Sequence, residues 1–195
     1  MKIIKFPLGE LQANCYILAK KGKALIIDPA DEASFILEKL MQERLEPLAL
    51  LATHGHFDHI MAAGEVQLSF KIHFYIDKQD LFLVERLEET AEYFLGYRPA
   101  VLKPKKIKFL KEGRIILEPF EFEVIKTPGH TPGSCCFYFK KENLAFVGDT
   151  LFKDGIGRYD FSYSSKTELF ESIKKLKKLP KETLFLPGHG EEFKY

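Results

Sequence analysis

Apolar residues recur along this chain in two rhythms. Short continuous runs bounded by glycine, proline or charge read as buried strands; apolar positions three and four apart read as helices. By that rule strands fall at residues 3–6, 15–18 and 24–27. A helix follows over 32–44, with Phe35, Leu37, Leu40 and Met41 on its apolar face and Asp31 placed to cap it. A buried run over 48–53 leads to a second helix near 59–70, a strand over 72–76 and a helical stretch over 78–95. The second half opens with strands at 105–110, 114–117, 120–126, 135–139 and 144–147. A helix over 165–179 and a strand over 183–186 complete the pattern. Both halves mix strand and helix without a fixed-period repeat, which suggests two αβ layers set back to back in a single domain over 1–195.

Composition narrows the function classes. A chain of 195 residues with 46% hydrophobic and 29% charged residues can bury a core of its own and carries no disordered signature. The formal net charge of +1 provides no field to gather nucleic acid or membrane phosphates. Lysines cluster at 103–108 and 174–181; the second group falls on a predicted helix and reads as a solvated face. The opening MKIIKFPLGE lacks the apolar stretch of a signal peptide, and no run approaches the ~18 apolar residues of a membrane span. A cytoplasmic protein without membrane or nucleic-acid partners is expected. Cys15, Cys135 and Cys136 form no CxxC pair, and adjacent strand positions send Cys135 and Cys136 to opposite faces. They read as reduced structural thiols, with a reactive one left open by the odd count.

Four of the buried runs end alike. Residues 48–52 run into Thr53-His54-Gly55-His56-Phe57-Asp58-His59, and 122–125 into Thr127-Pro128-Gly129-His130. Residues 144–147 run into Gly148-Asp149-Thr150, and 184–186 into Pro187-Gly188-His189-Gly190. Each delivers an imidazole or a carboxylate just past a strand end, where open sheets place their binding crevices. Imidazole and carboxylate together suit first-row divalent ions. Five of the six histidines lie in these four places; His73 stands apart. Taken singly, a strand-end histidine is more often a surface residue, and Asp149 alone could cap a turn. Three imidazoles and a carboxylate within six residues are costly to place for packing alone, and they make the other three stretches partners.

These residues resemble the metallo-β-lactamase superfamily, whose signature is HxHxDH followed by distant His, Asp and His. Within it the chain is similar to the short single-domain type II glyoxalases, which are hydroxyacylglutathione hydrolase-like, through ANCYIL, IDPA, THGHFDH, TPGHTPGS, GDTLF, GIGRYDF and LPGHG. The resemblance implies an αββα sandwich: two mixed β-sheets packed face to face with helices outside. It implies two divalent metal ions, zinc ahead of iron or manganese. His54, His56 and His130 would hold the first ion and Asp58, His59 and His189 the second, with Asp149 bridging. It further implies hydrolysis of a thioester, S-lactoylglutathione or a related acyl-glutathione, by a hydroxide held between the ions, with Asp58 also orienting the water. Arg158 falls where such enzymes place a basic residue against glutathione, with Tyr159 a second contact; the alternative for Arg158 is an ion pair with Asp160 or Asp154. Longer type II glyoxalases add a C-terminal helical domain that grips glutathione, whereas here only residues 191–195 follow the last motif. The thiol site is therefore expected within the fold itself, or the substrate is another thioester.

The nearest rival on this scaffold is a mononuclear-iron persulfide dioxygenase using His54, His130 and Asp149. A β-lactamase would be exported, and an RNA-processing nuclease would need an RNA-gripping arm. Purely structural metal sites are usually closed and rich in cysteine, unlike this set. Metal identity, acyl group and oligomeric state are not fixed by the sequence.

Overall fold

The computed structural model describes residues 1–194. In chain order, β1 (Lys2–Leu8), β2 (Ala13–Lys20), β3 (Lys23–Ile27), β4 (Glu46–Leu51), β5 (His73–Ile76) and β6 (Ile107–Phe109) lie side by side in one sheet. Its first three strands are antiparallel and the rest run parallel from β3 onward. The second sheet holds β7 (Gly113–Leu117), β8 (Phe120–Lys126), β9 (Cys135–Phe139) and β10 (Leu144–Gly148). After a small hairpin, β11 (Leu151–Phe152) and β12 (Gly155–Ile156), it is completed by β13 (Leu184–Pro187) and β14 (Phe193–Lys194). The antiparallel steps β8–β9 and β9–β10 and the parallel step β10–β13 point β8, β10 and β13 in one direction. Their C-terminal ends therefore share one rim.

The apolar runs are continuous because the strands are covered on both faces. Alternate residues divide between layers: Tyr16, Leu18, Leu25, Ile27, Ala49 and Leu51 meet Phe122, Phe137, Phe139 and Phe146 between the sheets. Their neighbours Cys15, Ile17, Ala24, Ile26 and Leu50 face outward onto a helical layer. That layer comprises α1 (Ala33–Gln42), α2 (Phe57–Ile60), α3 (Ala63–Ser69), α4 (Leu81–Glu85) and α5 (Leu87–Leu95). On the opposite side α6 (Lys166–Leu176) lays Leu169, Ile173 and Leu176 on Cys136, Tyr138, Ala145, Val147 and Phe185. The result is the expected αββα sandwich of two mixed sheets with helices outside. Cys135 and Cys136 do part to opposite faces of β9, and all three cysteines are buried and unpaired. No helix among the described residues is long and apolar enough to cross a membrane.

Several local expectations are corrected. Asp31 does not cap α1: the residue before the helix is Glu32, with φ 57° and no side-chain cap, and Asp31 Oδ1 instead accepts from the Glu32 N–H at 2.6 Å. The helix expected over 59–70 is broken into α2 and α3. The turn after β3 replaces its internal bonds, since Ala30 N–H donates to His59 O and Ala62 N–H to Ala30 O, both at 2.9 Å. The stretch 78–95 is likewise divided, into a 3-10 turn, α4 and α5, and stops at left-handed Gly96. The short strands β11, β12 and β14 carry no apolar run long enough to mark them.

Candidate metal centre

All four ligand-bearing stretches reach one place. The Nε2 atom of His130 and Nδ1 of His56 face each other at 2.9 Å, and both group with a nitrogen of His54, all within 4.8 Å of one another. Beside them, Asp58 Oδ2 lies 3.2 Å from His189 Nε2 and 3.6 Å from His59 Nε2, and those two imidazoles are 3.3 Å apart. Asp149 stands between the two triads. Its Oδ1 is 3.5 Å from His59 Nε2, and its Oδ2 is 3.7 Å from both His130 Nε2 and His189 Nε2. Gly188 lets the last stretch in, because a Cβ there would collide with Asp149 Oδ1 and His59 Cε1.

The outward nitrogens are tied down, which fixes what the inward ones can do. His59 Nδ1 donates to Asp28 Oδ2 at 3.0 Å and His130 Nδ1 to the Arg158 carbonyl at 2.8 Å. His56 Nε2 meets the Tyr163 hydroxyl at 2.9 Å, and His54 Nδ1 meets Thr53 Oγ1 at 3.1 Å. His130 and His59, whose outer nitrogens donate to a carbonyl and a carboxylate, have the outer partner that metal-ligating histidines show. Asp28 anchors this outer layer. Its carboxylate also takes the Thr53 N–H and hydroxyl, both at 2.7 Å, so its oxygens are engaged although it lies near His54 and His59. Asp80, fully buried, joins the ligand loops of the two sheets. It accepts from Gly55 N–H at 2.8 Å, Gly133 N–H at 2.6 Å and Thr131 Oγ1 at 2.7 Å.

The electrostatics agree with that geometry. Burial, then neighbouring imidazoles, holds His54 well below the ordinary histidine range; burial does the same to His56 and lowers His130. These rings are neutral at physiological pH, the form that ligates metal. His59 is opposed by burial, but Asp58, Asp149 and Asp28 outweigh it and push its pKa up to about 10. Burial likewise opposes the shift of Asp58, which His59 and His189 pull below the carboxylate range. Three carboxylates around one imidazole mark a pocket that favours positive charge.

Two buried atoms in this cluster, His54 Nε2 and Asp149 Oδ1, have no hydrogen-bond partner. A buried polar atom without a partner is costly, and convergent lone pairs of five imidazoles and two carboxylates are satisfied together by cations. The residues present fit two divalent ions: His54, His56 and His130 around one, Asp58, His59 and His189 around the other, and Asp149 between. His56, Asp58, His130, Asp149 and His189 floor a cavity of about 370 Å³. Arg158 lines the same cavity while its guanidinium makes two bonds to Asp160, at 2.9 and 2.8 Å, and stacks 4.4 Å from the Phe161 ring. Tyr159 is not among the lining residues; it is 40% exposed with Lys166 Nζ over its ring. The tyrosine that reaches the cluster is Tyr163.

Sequence reasoning missed Asp28, Asp80 and Tyr163. Asp28 had a signal, since it ends the buried run 24–27 just as the ligands end theirs. Asp80 and Tyr163 lie in stretches with no such grammar.

Comparison with known proteins gives a consistent picture. A family model described as the metallo-beta-lactamase superfamily matches residues 8–189. The protein named hydroxyacylglutathione hydrolase GloC of Haemophilus influenzae is 37% identical over 194 residues, covering 97% of this chain and 91% of that one. Among solved structures, BLEG-1 B3 metallo-beta-lactamase superposes with a TM-score of 0.92 at 35% identity, covering 99% of this chain and 94% of its own. TTHA1623, solved in a di-iron-bound form, gives a TM-score of 0.90 at 35% identity, covering 98% and 94%.

Proposed function

The chain belongs to the metallo-beta-lactamase superfamily, and from that premise we propose that it is a binuclear metal-dependent hydrolase of thioesters, with an acyl-glutathione such as S-lactoylglutathione as substrate. One observation carries the reading: two complete donor triads share a carboxylate on the floor of a single open cavity. Divalent ions held there, with zinc the first choice for so neutral and nitrogen-rich a donor set, supply Lewis acidity and a water acidified from ~15.7 to roughly 7. The chain's own part is to place and protect. His54, His56 and His130 stay neutral by burial, and Asp28, Tyr163 and the Arg158 carbonyl aim the rings. Asp58, facing His59 and His189 through Oδ2, is assigned the further task of orienting the attacking water. No cysteine competes as nucleophile, because all three are buried and burial raises their thiols. In the reaction a C–O bond to water forms, the C–S bond breaks, and the proton released by water leaves with thiol or solvent. A thiolate departs readily, since free thiols have pKa near ~8.5.

The resemblance to GloC, named for hydroxyacylglutathione hydrolysis, supports the glutathione carrier. Arg158 at the cavity wall is the group through which it would be met. A one-iron dioxygenase using His54, His130 and Asp149 would leave the Asp58, His59 and His189 triad without a task. Metal analysis on protein purified without added metal should give up to two ions per chain, and the same protein should hydrolyse S-lactoylglutathione. His54→Ala and Asp149→Ala should each remove most of both metal and rate. Thioesterase activity that persists after complete chelation, or oxygen uptake with glutathione persulfide in its place, defeats the proposal.

A further inference from the structure

Above its floor the cavity is almost wholly apolar. Leu11, Phe57, Phe94, Phe152, Ile156 and Phe161 form the walls, and only Thr90 and Arg158 interrupt them. The aromatic side is continuous: Phe57 stacks on Phe94 with centroids 5.6 Å apart, Phe94 meets Phe161 edge-on at 6.4 Å, and Phe161 contacts the His56 ring at 5.2 Å. The β11–β12 hairpin contributes Phe152 and Ile156 to the walls. At the mouth Leu11 and Phe94 remain 45% and 43% exposed, an apolar rim kept open to water. Among the described lining residues Arg158 is the one arginine or lysine, and its guanidinium is already paired with Asp160.

Glutathione brings two carboxylates and an ammonium; Arg158 can meet one carboxylate, whereas charges set against the apolar walls would lose hydration with nothing in return. The carrier therefore extends from the mouth, and the short acyl group, next to the reacting carbonyl at the floor, is the part left facing the aromatic side. A lactoyl group, a methyl and a hydroxyl, covers little of it. We infer that the acyl group this cavity is built for is bulky and apolar, an aromatic ring in particular, rather than lactoyl. The inference rests on the thioester reading and deepens it. Rings offered to Phe94 and Phe161 gain edge-to-face or offset contact beyond simple burial.

Two matched pairs test it. S-mandeloylglutathione differs from S-lactoylglutathione by phenyl in place of methyl, and kcat/KM on the metal-loaded enzyme should favour the mandeloyl ester by about tenfold or more, given what added apolar contact provides in a pocket. S-benzylglutathione and S-methylglutathione, thioethers that cannot be hydrolysed, should show a similar ratio of Kd by calorimetry. Phe94→Ala should cut both ratios severalfold, and Phe94→Leu should restore part of each. A ratio near one in either pair overturns the inference and leaves the walls only to exclude water, with the thioester reading intact. No turnover of any thioester, with S-benzylglutathione still bound about tenfold tighter, would instead sink the thioester reading and leave the aromatic preference of the cavity standing.

Discussion

Asp80 neither faces the metal triads nor lines the cavity, yet it accepts three hydrogen bonds from the loops that carry His54, His56 and His130. Removing it in Asp80→Ala strands two backbone N–H groups, at about 1–3 kcal/mol for each buried group, while Thr131 Oγ1 keeps Ser134 Oγ at 2.7 Å. Metal affinity should fall along with stability, which chelator competition read beside a melting curve would show; undiminished affinity would limit Asp80 to packing. Asp28→Ala acts more directly, because it frees the His59 ring and the Thr53 hydroxyl together. Loss of such an outer partner typically costs about 10–100-fold in metal affinity. At this scale the four stretches that carry the inward groups were legible because each follows an apolar run. The outer partners were not, since a hydrogen bond from Asp80 to Gly133 links positions that no local pattern connects. Arg158 makes the ion pair with Asp160 that was its alternative reading, and it also lines the cavity.

Among the elements, those covered on both faces were the easiest to foresee. β2, β3, β4, β9 and β10 read as unbroken apolar runs because alternate residues feed two different cores. What escaped was structure set by bonds between elements, such as the break between α2 and α3 where Ala30 takes over the backbone groups of His59 and Ala62. That break leaves Asp58 and His59 on the four-residue helix α2, whose N-cap is His56. Helix α6 follows local rules: Ser165 caps it by accepting from Glu168 N–H at 3.3 Å. Ser165→Ala should cost about 1 kcal/mol and lower Tm by about 2–4 °C for a chain of this size. Metal content should not change, because the bond from Ser165 to the His130 loop runs from its backbone N–H to the Gly129 carbonyl.

Across the whole molecule, the centre joins the two sheets through side chains that converge without a shared strand. Ions bound there stabilise the folded form by mass action, about 4 kcal/mol when free metal exceeds its Kd a thousandfold. Stripping them should lower Tm by about 8–16 °C, at about 2–4 °C per kcal/mol. An unchanged Tm after verified removal would show that the sheets hold together without them. The order of the ligands along the chain has a consequence for synthesis. The first triad is complete once residue 130 has been made, whereas the second waits for His189, some sixty positions later. The first donor triad therefore draws on the chain up to residue 130 alone, without Asp149 or His189. A second ion held as proposed would need β13 beside β10, so loading of that site would record how far folding had gone.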